Sequence, residues 1–92
     1  MELALKELGI DIPGTYSISG GYVIDLLDDI AFGKMYSKIE KQLGDDLEYL
    51  EDISTLNTHT GNYSYSYKDK YELTLIADWD NDEYKLVVRE KD

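Results

Sequence analysis

Residues 25–52 read DLLDDIAFGKMYSKIEKQLGDDLEYLED, and the apolar spacing in and just before this stretch decides the fold. Val23, Leu26, Leu27 and Ile30 recur at the period of one helical face, with Asp25, Asp28 and Asp29 on the opposite face. The seam resumes at Phe32, Tyr36, Ile39 and Leu43, across a Gly33 that weakens or bends a helix. Lys34, Lys38 and Lys41 take the outer face there and interrupt the acidic stripe. Gly44 suits the position just past a helix end, and Asp45 suits the cap of a further short helix. In that helix Leu47, Leu50 and Ile53 point inward and Glu48, Glu51 and Asp52 outward. The stretch thus predicts helices over about 22–43 and 46–53.

Upstream, Glu2 to Leu8 predicts a short helix closed by Gly9, and Pro13-Gly14 breaks the chain after it. Gly20-Gly21 reads as a joint, since no phosphate-binding loop pattern surrounds it. Downstream of Ile53 the period changes from helical to two. Ser54 to Asn62 is polar and reads as loop or edge strand. Tyr63-Ser64-Tyr65-Ser66-Tyr67 alternates strictly, as do Tyr71 to Trp79 and the Tyr84, Leu86, Val88 series.

Turns at Lys68-Asp69-Lys70 and Asp80-Asn81-Asp82-Glu83 join these runs. The first pairs Tyr67 with Tyr71, Tyr65 with Leu73 and Tyr63 with Leu75. The second pairs Trp79 with Tyr84, Ala77 with Leu86 and Leu75 with Val88, setting Asp78 against Lys85 and Glu72 against Lys91. The expected fold is α+β in a single domain over residues 1–92. Helices at about 2–8, 22–43 and 46–53 cover a three-stranded antiparallel meander at about 62–67, 71–79 and 84–90.

The chain has 92 residues, 42% of them hydrophobic, which suffices for one small core. It has no cysteine, hence no disulfide framework and no thiolate metal site. The N-terminus lacks a basic then apolar leader, and no apolar run reaches a membrane span, so a cytoplasmic protein away from membranes is expected. Twenty acids against nine bases give a net charge of −11. That charge repels nucleic acid and anionic lipid and attracts basic proteins.

No catalytic constellation stands out. Asp78-Trp79-Asp80-Asn81-Asp82 has the alternate acids that open a calcium loop, but Glu83 and Arg89 stand where such a loop needs Gly and Glu. His59, the one histidine, has only Asn57, Thr58 and Thr60 around it and reads as an exposed loop residue. Adjacent carboxylates such as Asp28/Asp29 or Glu51/Asp52 diverge by about 100° on a helix and do not converge on a substrate. Tyr63, Tyr65 and Tyr67 lack the basic surround of a base-stacking platform and read as core or core edge. No cofactor, metal site or enzymatic activity is expected.

What remains is binding. The expected contact residues are Asp25, Asp28, Asp29, Asp45, Glu48, Glu51 and Asp52 on helices, and Asp78, Asp80, Asp82 and Glu83 at a loop tip. The partner they suit is a basic protein surface, such as the channel of a nucleic-acid enzyme. In size, acidity and helix-plus-meander layout the chain resembles small acidic inhibitors of phages and mobile elements, among them DNA-mimic anti-CRISPR proteins and uracil-DNA glycosylase inhibitors. That resemblance implies stoichiometric blocking of a nucleic-acid enzyme, for example a CRISPR effector nuclease, in a bacterial cytoplasm. Two alternatives share the composition. One is an immunity protein or antitoxin against a basic toxin. The other is an assembly subunit that uses its tyrosine-rich sheet.

Overall fold

Tyr22–Leu26 is a strand, not the opening turns of a helix. In the computed structural model, which describes residues 6, 14–16, 21–41, 43 and 46–90, seven antiparallel strands form one sheet crossed by one helix. The strands are β1 (Thr15–Tyr16), β2 (Tyr22–Leu26), β3 (Leu47–Tyr49), β4 (Thr55–Leu56), β5 (Thr60–Tyr67), β6 (Tyr71–Asp78) and β7 (Glu83–Glu90). The helix α1 is Asp29–Glu40. The sheet runs β1-β2-β7-β6-β5-β3, with β4 also pairing β5. Expected helix 2–8 lies outside the described residues apart from Lys6, as do Gly44 and Asp45.

The helices expected at 22–43 and 46–53 are therefore corrected. Tyr22, Val23 and Ile24 are aromatic or β-branched, and β2 pairs along its whole length with β7, Ile24 opposite Leu86 and Leu26 opposite Tyr84. Ile24 and Leu26 are buried while Leu27 is 93% exposed and Ile30 65% exposed, so the apparent seam of Val23, Leu26, Leu27 and Ile30 is no single face. The helix starts where Asp28 caps it: the Asp28 Oδ1 accepts the Ala31 N–H at 2.8 Å, from an extended backbone. From there Phe32, Met35 and Ile39 point into the core.

Gly33 does not interrupt α1, and a Cβ added there would meet nothing within 4 Å. Gly33→Ala is expected to stabilise the protein by about 0.5–1 kcal/mol, through lower unfolded-state entropy and better helix propensity, read by chemical denaturation. An unchanged or lower midpoint would contradict that expectation.

The segment read as helix 46–53 is the broken edge of the sheet. Leu47 and Tyr49 pair with Tyr67 and Tyr65 of β5. One 3-10 turn, Glu51–Ile53, then lifts off before β4 rejoins β5. Ser54 repairs the gap: its hydroxyl donates to the Leu50 carbonyl at 2.7 Å and accepts the Ser64 N–H at 2.9 Å. A ladder interrupted in this way is a poor template for another strand. Leu47 is buried because it faces the core from β3, while Ile53 is half exposed.

The expected meander survives only as the centre of the larger sheet. Its first hairpin has the expected register, Tyr67 opposite Tyr71 and Tyr63 opposite Leu75. Lys68 and Asp69 take left-handed backbone, φ 53° and 55°, to make that turn. The second hairpin closes one residue earlier than expected. Asp78 pairs with Glu83, Ala77 with Tyr84 and Leu75 with Leu86. The cause lies in the turn. The Asp78 carboxylate accepts the Asn81 side-chain amide at 2.8 Å and its N–H at 3.3 Å, and Asp82 takes a left-handed φ of 55°. Lys85 therefore faces Ile76, Glu72 faces Arg89, and Trp79 leaves the strand. A shift of two preserves which side chains face inward. The core is Ile24, Leu26, Leu47, Tyr65, Tyr67, Leu73, Leu75, Ala77, Tyr84, Leu86 and Val88 under Phe32, Met35 and Ile39.

Candidate functional site: an acidic pole

The sheet has two ends, and six of the acids collect at one. Leu26 of β2 lies beside Tyr84 of β7, so the Asp28–Asp29 helix start stands next to the β6–β7 turn. The Tyr84 phenol marks the junction. Its pKa is raised by burial, by a hydrogen bond to Asp82, and by the charges of Asp82, Asp29 and Asp28. Two segments some fifty residues apart in the chain thus bring Asp28, Asp29, Asp78, Asp80, Asp82 and Glu83 to one pole. The helix N-terminus offsets the charges of Asp28 and Asp29. Hydrogen bonds from Asn81 hold the Asp78 carboxyl below the usual carboxylate range.

His59 belongs to this pole. Its Nδ1 stands 2.8 Å from the Asp80 Oδ2, and its carbonyl accepts the Trp79 N–H at 2.9 Å. Read from its chain neighbours the histidine had no partner; the fold supplies one from across the sheet end. It stays exposed, as expected.

Apolar side chains sit among these acids. Trp79 is 37% exposed and lies edge-on to Phe32 at 6.3 Å between ring centres. Gly61 makes room for it, since a Cβ there would come within 2.7 Å of the indole and 3.4 Å of Leu56. Leu56, Leu27 and Ile30 are more exposed still. Sequence reasoning placed Trp79 in the core and Leu27 and Ile30 in a seam, and so missed this patch. The available signal was chemical: apolar residues embedded between acids, in Leu27-Asp28-Asp29-Ile30 and Asp78-Trp79-Asp80.

The remaining expected contact residues go elsewhere. Asp25 is exposed on the sheet face away from α1, opposite Lys85. Glu48 on β3 and Glu51 and Asp52 in the 3-10 turn line the broken edge, a second acidic strip. Asp45 lies outside the described residues. Lys34, Lys38 and Lys41 do share the outer face of α1, beside Ile30. Among the described residues no three His, Asp or Glu side chains gather as a metal site. No described helix is long and apolar enough to cross a membrane.

Behind the edge strip, tyrosines crowd around one carboxylate. The Tyr65 hydroxyl donates to the Glu40 Oε1 at 3.2 Å. Burial first, then the charge and hydrogen bond of Glu40, push the Tyr65 phenol well above its ordinary value; burial and Glu40 raise Tyr36 as well. For all three raised tyrosines the folded state holds its proton more tightly than the unfolded state. Stability is therefore whole below the ordinary tyrosine pKa of about 10 and falls as pH rises above it. Titration of phenolate absorbance is expected to show three tyrosines, Tyr36, Tyr65 and Tyr84, ionising above the ordinary tyrosine value, Tyr65 only with alkaline unfolding. Ionisation of these three at the ordinary value of about 10 would contradict this.

Searches of known protein families, curated proteins and solved structures find no match to this chain.

Proposed function

We propose that this protein is a small acidic inhibitor that docks its acidic pole on a basic, nucleic-acid-binding surface of another protein. The observation that carries the reading is the convergence of Asp28–Asp29 with Asp78–Glu83 around an exposed Trp79. Such a surface supplies two things an interface needs. Carboxylates steer a basic partner and hold it against dissociation, while a partly exposed tryptophan with aliphatic neighbours offers a desolvated anchor. Nucleic-acid channels are strongly basic protein surfaces, and they would take an acidic pole in place of phosphates. The likeness to DNA-mimic inhibitors now rests on size and acidity, since the helix-plus-meander layout does not hold.

The test is affinity capture from a bacterial host lysate at low and high salt, followed by a nuclease or binding assay on the captured protein. The expected result is a basic nucleic-acid enzyme retained at low salt, eluted by salt, and inhibited at a 1:1 ratio. Capture of a partner with no nucleic-acid-binding surface would overturn the proposal.

A further inference from the structure

We propose that the outer face of α1 docks the acidic pole of a second copy of this chain, so that the protein self-associates head to tail. Phe32, Met35 and Ile39 bury one side of the helix in the core. Ile30, Gly33, Lys34, Ser37, Lys38 and Lys41 fall on the other side at the helical period. Those six line one shallow groove, all of them are exposed, and none is acidic. Gly33 helps to open it, since nothing stands within 4 Å of where its Cβ would be. Lys34 and Lys41 stand about 10 Å apart along the helix axis. Lys38 lies between them and is already engaged within the chain. Three of the nine bases thus share one groove on a protein whose net charge is −11.

The groove asks its occupant for carboxylates and a little apolar surface, because its lysines stand beside Ile30, which is 65% exposed. The pole supplies both. Residues 80–83 form an exposed turn carrying Asp80, Asp82 and Glu83, with Asp29 near by, and Trp79 and Leu27 expose apolar surface at the same end. An acidic turn and a basic groove are complementary in sign. Nucleic acid would match the lysines, but the net charge of the chain repels a polyanion along its whole length. A second copy that docks by its tip is repelled chiefly at its bulk, and salt screens charges more than about 8 Å apart at physiological ionic strength. Pole and groove are different surfaces, so the contact is heterologous and leaves one pole and one groove open on each pair. Repulsion between bodies of charge −11 opposes each further addition and keeps the assembly short. A docked pole is covered, so a second copy and a basic partner compete for it.

The test needs the chain alone. The full protein, labelled for amide chemical-shift mapping, is diluted from millimolar to micromolar concentration at physiological ionic strength. Self-association with a dissociation constant on the order of 0.1–1 mM is expected, since exposed ion pairs are individually weak. Shifts should move together at two separate places, the Trp79 indole N–H with residues 80–83, and Lys34, Ser37, Lys38 and Lys41. A groove variant, Lys34→Gln with Lys41→Gln, should weaken association about tenfold or more, and so should a pole variant, Asp29→Asn with Asp82→Asn and Glu83→Gln. The pole variant is the sharper of the two. It loses three negative charges, so repulsion governed by net charge alone would make it associate more tightly. Mixing restores the contact: the labelled groove variant, whose pole is intact, should recover its pole shifts when the unlabelled pole variant is added. Two misfolded variants would not restore each other. No dependence on concentration, shifts at one surface without the other, a pole variant that associates as tightly as the parent, or a mixture that recovers nothing would each overturn the proposal. No basic partner enters the experiment, so failure here leaves the inhibitor reading to its own test.

Discussion

Ile24→Ala is expected to destabilise the protein by about 2–5 kcal/mol, enough to unfold much of the population of a domain this small, whereas Leu27→Ala leaves stability within about 0.5 kcal/mol. Ile24 is wholly buried in β2 between the helix and Leu86 of β7, so truncation leaves a cavity beneath α1. Leu27 stands three residues on and is 93% exposed. On a helical reading of residues 22–43 the order reverses, since Leu27 lies in the apolar seam and Ile24 outside it. Urea denaturation of the two variants decides between the architectures with one pair of midpoints. A larger loss at Leu27 than at Ile24 would contradict the strand.

That reversal shows where the chain could be read and where it could not. The strands of residues 60–90 were legible because strict alternation in Tyr63–Tyr67 and Tyr71–Ala77 admits one period only, and the first hairpin's register followed from its three-residue turn; the second hairpin's register did not, because the hydrogen bonds between Asp78 and Asn81 set it. Residues 22–27 were not, because YVIDLL satisfies two periods at once. Tyr22, Ile24 and Leu26 fit a strand, and Val23, Leu26 and Leu27 fit a helix. What breaks the tie is non-local: β7 offers a hydrogen-bonded partner that no local pattern announces. Residues 47–53 failed for a related reason. Leu47, Leu50 and Ile53 sit at helical spacing by accident of an edge strand interrupted by a 3-10 turn, and the repairing contact, Ser54 to Ser64, is itself long-range. The acids of the site were legible one by one, but their convergence was not. Asp28 and Asp82 both act on the Tyr84 phenol only because β2 lies next to β7, a neighbour choice set by the sheet as a whole.

Neutralising the pole without disturbing its backbone should abolish most partner binding. The variant Asp28→Asn, Asp29→Asn, Asp80→Asn, Asp82→Asn is chosen with the structure in mind. Asparagine still caps α1 at position 28, and it tolerates the left-handed backbone at position 82. Four fewer like charges at one end relieve repulsion, so folding is expected to be unharmed, and a loss of binding then reads as a loss of contact. Against the captured partner, affinity at low salt should fall on the order of a hundredfold, chiefly through slower association, and its dependence on salt should flatten. Trp79→Ala in the otherwise intact chain should act in the other way. It leaves steering untouched and removes the anchor, so association is preserved, dissociation quickens, and affinity drops about thirtyfold or more. The two effects separate charge from burial at the same surface. If the four-fold variant binds with parental affinity and parental salt dependence, the pole is solvated surface and the contact lies elsewhere, with the edge strip of Glu48, Glu51 and Asp52 next in line. If Trp79→Ala slows association instead of speeding dissociation, the indole positions the acids and does not itself bury against the partner. Its packing on Phe32 and Gly61 makes that distinction worth drawing.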